Sequence, residues 1–310
     1  MAGGRSRAQG AGDASAARAA ALLRLADDWN VAELHDSIGA QKKLFVEACG
    51  DQQRCLTGDA FRVLFTMAME LSNLATSMRV GDDRAALRDS VSACVTTTWL
   101  YHRLLRCRVK VGRNDEFFAL HLGPLAFAAC AAICIGAESE ARWMAAQYVR
   151  HLDAGKQCQV TQDTAFLAAS AWVCRWYLGA KPATAPADLG GYRALLQGVL
   201  DGADASAPIA ATLDERVANA HRLLIAGDVS HQFFYGDPYG ALFPFEVLAV
   251  ARVLDGQQGP AAAIHHPLLD GLWPDIRDAG SWRDAFAAEA AESLTGLERS
   301  VGITWTPASP

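Results

Sequence analysis

The sequence predicts an all-α protein, and three observations carry that prediction. Apolar residues recur at three- and four-residue spacing over long stretches, as on the buried face of a helix. Helix-opening and helix-closing residues punctuate the chain at intervals suited to helices of ordinary length. No alternating polar and apolar run of useful length argues for a strand anywhere in the 310 residues. Antiparallel helix pairs joined by short turns are the simplest assembly, giving a multi-helix array that is either solenoid-like or a large irregular bundle. No fixed-period repeat is present to choose between the two.

The elements follow in order. Asn30 with Glu33 reads as a capping box that opens a helix, and Gly50 closes it. Asp59 opens the next, which runs to Gly81 with an apolar face of Phe61, Leu64, Phe65, Ala68, Leu71, Ala75 and Met78. A third covers roughly 83–110, its apolar side including Leu87, Val91, Cys94, Tyr101 and Leu105. These two helices are expected to pack as an antiparallel pair. Pro124 suits the first turn of a following apolar helix, whose φ it presets. Another helix is expected over 137–153, with Glu138, Glu140, Arg142 and Arg150 on its wet side. Thr161 then caps a helix carrying Trp172, Trp176 and Tyr177, which Gly179 ends.

The run GAKPATAPADLGG, residues 179–191, interrupts helical periodicity with prolines and glycines and reads as a linker. It divides an N-terminal helical part, 13–178, from a C-terminal part, 192–302, packed on the first. Residues 1–12 read as a flexible N-terminus and 303–310 as a flexible tail. Helices are signalled near 191–201, 208–226, 244–255 and 281–299. Between the second and third of these, Asp237-Pro238-Tyr239-Gly240 has the composition of a tight turn.

Composition narrows the function classes. An apolar share of 51% with 20% charged residues is that of a globular chain. The formal charge of -6 argues against nucleic acid as a partner, since phosphate binding needs a basic surface, and favours a basic protein partner. The basic cluster Arg103, Arg106, Arg108, Lys110 and Arg113 falls at an expected helix C-terminus, where cations complement the dipole. Eight cysteines lack framework spacing and read as free thiols in a reducing cytoplasm. The uncharged stretch 119–137 approaches membrane-spanning length, but Gly123-Pro124 and His121 interrupt it, so a buried central helix is expected and no membrane partner.

Motifs for chemistry are sparse. His35-Asp36 lacks the upstream histidine of a metal phosphohydrolase. His265-His266 with Asp270 matches no zinc spacing, and Cys130 with Cys134 lies in apolar surroundings without polar support. Asp82, Asp83 and Asp89 open a helix and do not form a DDxxD magnesium motif. No nucleophile elbow, phosphate loop or dinucleotide fingerprint occurs. The sequence therefore assigns no catalytic residue, cofactor or metal. An enzyme built from dispersed His102, His121, His221 and His231 around a carboxylate remains the alternative, as does a helical scaffold or adaptor.

The segments HLGPLAFAACAAICIGAESEARWMAAQYVRHL and YGDPYGALFPFEVLAVARVL, with the length and helical pattern, resemble the immunity protein 49 family of bacterial polymorphic toxin systems. The resemblance implies a cytoplasmic protein that binds one cognate toxin and neutralises it by steric occlusion, without catalysis. No residue role is carried over from the family. From the residues themselves, Asp201, Asp204, Asp214, Glu215, Asp237 and Tyr239 are the candidate partner-binding positions: acids for a basic toxin surface, and an aromatic anchor.

Overall fold

The computed structural model describes residues 3–26, 29–56, 58–81, 83–112, 122–155, 164–180, 189–201, 206–228, 238–258 and 266–304. Among them the secondary structure is helical, with no strand. The helices are α1 (Gly3–Leu23), α2 (Val31–Cys49), α3 (Gln52–Cys55), α4 (Gly58–Val80), α5 (Arg84–Lys110), α6 (Leu122–Ile135) and α7 (Glu138–Asp153). They continue as α8 (Thr164–Tyr177), α9 (Tyr192–Leu200), α10 (Ser206–Leu224), α11 (Pro238–Leu242), α12 (Phe245–Gln258), α13 (Trp273–Ile276) and α14 (Ala285–Ser300).

Local chemistry sets most of the boundaries. Asn30 caps α2, its side chain accepting from the Glu33 amide, while Glu33 accepts from the Asn30 amide group at 2.7 Å. Asp83 accepts from the Ala86 amide at 2.9 Å and opens α5. At the end of α6, Gly136 adopts φ +73°, its amide donates to the Ile133 carbonyl, and the Ala137 amide donates to the Ala132 carbonyl. Gly179 ends α8 in the same way, with φ +92° and paired bonds to Trp176 and Arg175. This double bond pattern consumes carbonyls the helix leaves open, and its left-handed residue is one that glycine reaches without steric cost. Gly50 closes α2 differently, in the right-handed region at φ -61°.

α4 packs along α5 and α2, α6 along α7, and α12 against both α6 and α8. α14 lies over α5 and α2, and α1 meets α10. Helices from before and after the expected linker share one continuous apolar core. α6 is buried along its length apart from Pro124, as the apolar run predicts for a central helix. No helix among the described residues is long and apolar enough to cross a membrane.

Several expectations need correction. α1 begins at Gly3, within the stretch expected to be a flexible N-terminus, since alanine-rich sequence favours helix even without an apolar stripe. The buried face of α4 is Ala60, Leu64, Met67, Leu71, Leu74 and Ala75, whereas Phe65 stands 39% exposed. α5 is covered on nearly all sides, because α4, α6 and α14 surround it, so its buried set extends to Thr96, Thr97, His102 and Arg103. Glu140, placed on the wet side of α7, is buried and accepts from Ser139 and Ser281 at 2.5 and 2.7 Å. The expected tight turn at 237–240 is a short helix from Pro238, whose Tyr239 carbonyl accepts from the Phe243 amide. Ile303, placed in the tail, is buried.

Asp284 caps α14 by accepting from the Ala287 amide at 2.8 Å and pairs with Lys42 of α2 at 2.7 Å. Asp284→Ala is expected to cost about 1–2 kcal/mol in chemical denaturation, within the range of lost N-caps. Asp284→Asn keeps the capping oxygen and should cost only a few tenths, because a half-exposed ion pair contributes little. Equal losses in both variants would show that the pair with Lys42 matters more than the cap.

Candidate functional site

α5, α7 and α14 enclose a cleft of about 500 Å³, a volume within the range of ligand sites. Trp99 and Trp143 supply aromatic walls, and Ser139, Thr295, Arg299 and Thr304 supply polar groups. Arg103 and Glu298 lie in its lining. Their contact is a two-point ion pair: Arg103 Nε to Glu298 Oε1 at 3.1 Å and Nη2 to Oε2 at 2.6 Å. Arg103 also donates to the Thr295 hydroxyl at 2.9 Å and the Ala291 carbonyl at 3.4 Å, and its guanidinium lies 4.6 Å from the Trp99 ring. Four of its N–H donors are engaged inside the protein, so it works as a strut between α5 and α14.

This overturns part of the reading of the basic cluster. Arg103 and Arg108 are both buried, and Arg108 donates to the Leu56 carbonyl at 3.2 Å, bracing the α3–α4 corner. Lys110 remains exposed in the last turn, as the dipole argument expects, and Arg113 lies outside the described residues. Sequence reasoning missed the cleft because Trp99, Arg103 and Trp143 gain meaning only when α14 brings Glu298 to them. The one usable signal is that Trp99 and Arg103 stand four apart on a helix otherwise rich in apolar residues.

A second, apolar groove of about 300 Å³ runs between α4, α5, α6 and α11, lined in part by Phe65, Met69, Tyr101, Phe127 and Tyr239. Tyr239 is 8% exposed, its ring 5.6 Å from Phe127 and 4.7 Å from Phe243. It forms part of an aromatic staple inside the protein and does not project from the surface as an anchor. The partner-binding role read for Tyr239 is corrected accordingly, because its ring is packed against Phe127 and Phe243.

The acids are distributed as follows. Asp201 is exposed at the end of α9 and accepts from the Gln197 amide at 2.9 Å. Asp214 and Glu215 are exposed on α10. Glu215 sets its carboxylate over Gly191, where a methyl group would collide with it, so its charge meets the N-terminus of α9. α9 and α10 run antiparallel, with Gly191 beside Glu215 and Gly198 beside Pro208, which puts Asp201 at the other end of the pair. Asp204 and Asp237 lie outside the described residues.

Asp214 also contacts His266, Oδ1 to Nε2 at 3.3 Å, while His266 Nδ1 accepts from the Leu268 amide at 3.1 Å. Accepting at Nδ1 requires that nitrogen to be unprotonated, so a neutral ring with its proton on Nε2 fits both bonds. Burial lowers the His266 pKa below the ordinary 6.5, and Asp214 opposes that shift. The unfolded chain therefore binds this proton more readily than the folded one, and stability present above pH 6.5 is lost as pH falls through the lower folded value. His266→Gln is expected to flatten the denaturation midpoint over this interval; an unchanged slope would remove His266 from the account.

Of the histidines proposed for an enzyme, His102 and His221 are among the described residues. His102 is buried in α5, edge-on to Tyr101 at 5.0 Å, and His221 stands in the last turn of α10. His121, His231 and His265 lie outside the described residues. Cys130 and Cys134 are both fully buried in α6. Among the described residues, no three His, Cys, Asp or Glu side chains come together as a metal-binding group. No protein-family model matches the chain, and neither a curated protein nor a solved structure matches it.

Proposed function

We propose that the chain is a binding protein of the immunity type, which neutralises a cognate toxin by covering its working surface and performs no catalysis. The observation that carries this reading is the way the buried charges are used. Arg103 closes on Glu298, Arg216 on Glu246, Glu140 on two serines, and Arg79 on the carbonyls of Leu268 and Asp270. Most of these contacts join parts of the chain far apart in sequence and favour a rigid interior. Rigid surfaces lose little freedom on association, which favours stable occlusion.

The net charge of -6 and the exposed Asp201, Asp214 and Glu215 suit a basic partner, such as a toxin with a cationic substrate cleft. Co-expression with the product of the adjacent reading frame, scored for rescue of growth and for co-purification, tests the reading. Rescue with a stable complex is the expected result. Reversal of Asp201, exposed at the end of α9, should slow association and weaken its salt dependence, whereas reversal of Asp214 and Glu215 also disturbs their contacts with His266 and the start of α9.

The cleft between α5, α7 and α14 favours a second reading, in which the protein binds or transforms a small molecule. That reading requires Arg103 to release Glu298 for a ligand. Toxicity without rescue, together with a small molecule retained through purification, would replace the immunity reading with this one.

A further inference from the structure

We infer that the cleft between α5, α7 and α14 is a binding site for a zwitterionic small molecule, an α-amino acid with an apolar or aromatic side chain, which inserts between Arg103 and Glu298. This rests on the small-molecule reading of that cleft and is independent of any toxin. Arg103 and Glu298 both line the cleft, and their side chains are only 6% and 8% exposed. Their two contacts, at 3.1 and 2.6 Å, leave no space between the groups, so a ligand that takes either one must separate the pair.

Charge balance then decides the ligand class. Separating the pair leaves a buried cation and a buried anion, and an uncompensated buried charge is strongly destabilising. A simple carboxylate would satisfy Arg103 and abandon Glu298, and a simple amine would do the reverse. A molecule carrying both charges replaces both partners, its carboxylate taking the planar fork of Arg103 and its ammonium meeting Glu298. In an α-amino acid the two groups sit on one carbon, the close spacing that two side chains now in contact require. Arg103 keeps its bonds to the Thr295 hydroxyl and the Ala291 carbonyl, which hold the guanidinium in place through the exchange.

The remaining lining agrees with that class. Glu292 and Arg299 add one charge of each sign, so the charged residues of the cleft sum to zero, which suits a ligand without net charge. The hydroxyls of Ser139 and Thr295 already donate to Glu140 and the Ala291 carbonyl, so their hydrogens are spent within the protein and do not select a neutral polyol. Trp99, Trp143 and Ile303 supply the apolar wall against which the side chain of the amino acid packs.

The test uses the full chain, with the standard amino acids as separate probes in thermal unfolding and then calorimetry. An apolar or aromatic amino acid should raise the unfolding midpoint. Its analogues lacking only the amino group or only the carboxylate should each bind at least about 100-fold more weakly, because each leaves one buried charge unpaired. The double variant Arg103→Met with Glu298→Met strands no charge, so it should fold and lose the binding. Unchanged binding by that variant would overturn the inference. Equal affinity for either analogue would overturn the zwitterion class and leave the small-molecule reading standing. Failure of every amino acid to bind would also overturn the inference, and a small molecule of another class retained through purification would show that the small-molecule reading survives it.

Discussion

Arg216→Met is expected to lower stability by about 3–5 kcal/mol, the cost of leaving a buried carboxylate without its cation. Arg216 and Glu246 have side chains only 1% exposed, with Arg216 Nε and Glu246 Oε1 3.4 Å apart. The Tyr192 hydroxyl donates to the same carboxylate oxygen at 3.0 Å. The guanidinium also donates to the carbonyls of Gly240 and Phe243, tying α11 and its connection to α12 down onto α10. Removing Arg216 therefore takes a donor from three buried acceptors at once. The double variant Arg216→Met with Glu246→Met should recover about 2 kcal/mol of the loss, because an apolar pair removes the uncompensated charge. Urea denaturation of the three proteins decides it. A single variant within about 1 kcal/mol of the parent would mean that the carboxylate is not held by Arg216.

Phe245→Ala is expected to cost about 3–5 kcal/mol through the cavity left by a fully buried ring. Phe245 is 0% exposed, stacked on Phe243 at 5.4 Å and edge-on to Phe127 at 5.2 Å and Tyr239 at 6.0 Å. Those rings come from α6, α11, the α11–α12 connection and α12, so the cluster joins the two helical parts expected from the sequence. Phe245→Leu fills much of the same volume and should cost about 1.5 kcal/mol or less. If the alanine variant lost no more than the leucine variant, the site would be collapsing around the gap. Because Phe245 adjoins Glu246, combined variants at the two sites should depart from additivity.

The resemblance segment YGDPYGALFPFEVLAVARVL shows how far local reading reaches. Its Asp237-Pro238-Tyr239-Gly240 reads locally as a tight turn where the described residues form a short helix, and Glu246 falls in the first turn of α12, where its charge is favoured. The helix dipole is only part of its role, since Glu246 also pairs with Arg216, thirty residues earlier on another helix. Tyr239 shows the complementary error. An aromatic beside a turn has the composition of both an interface anchor and a core staple, and only its contacts with Phe127, Phe243 and Phe245 separate them. Asp214 and Glu215, adjacent in sequence, likewise diverge: one meets His266, the other the start of α9.

The positions of most long helices, caps such as Asn30 and Asp83, the glycine stop at 179, and the burial of α6 were determined by the sequence alone. Each depends on residues within a turn or two of one another, so periodicity and capping chemistry are sufficient. The roles of Arg103, Glu140, Arg216 and Glu246 were decided only by the tertiary structure. Arg103 and Glu298 are 195 residues apart, and a charge becomes a buried strut or a wet surface group according to which distant helix covers it. Local sequence holds no record of that covering, because burial belongs to the packed arrangement and not to the helix that carries the residue.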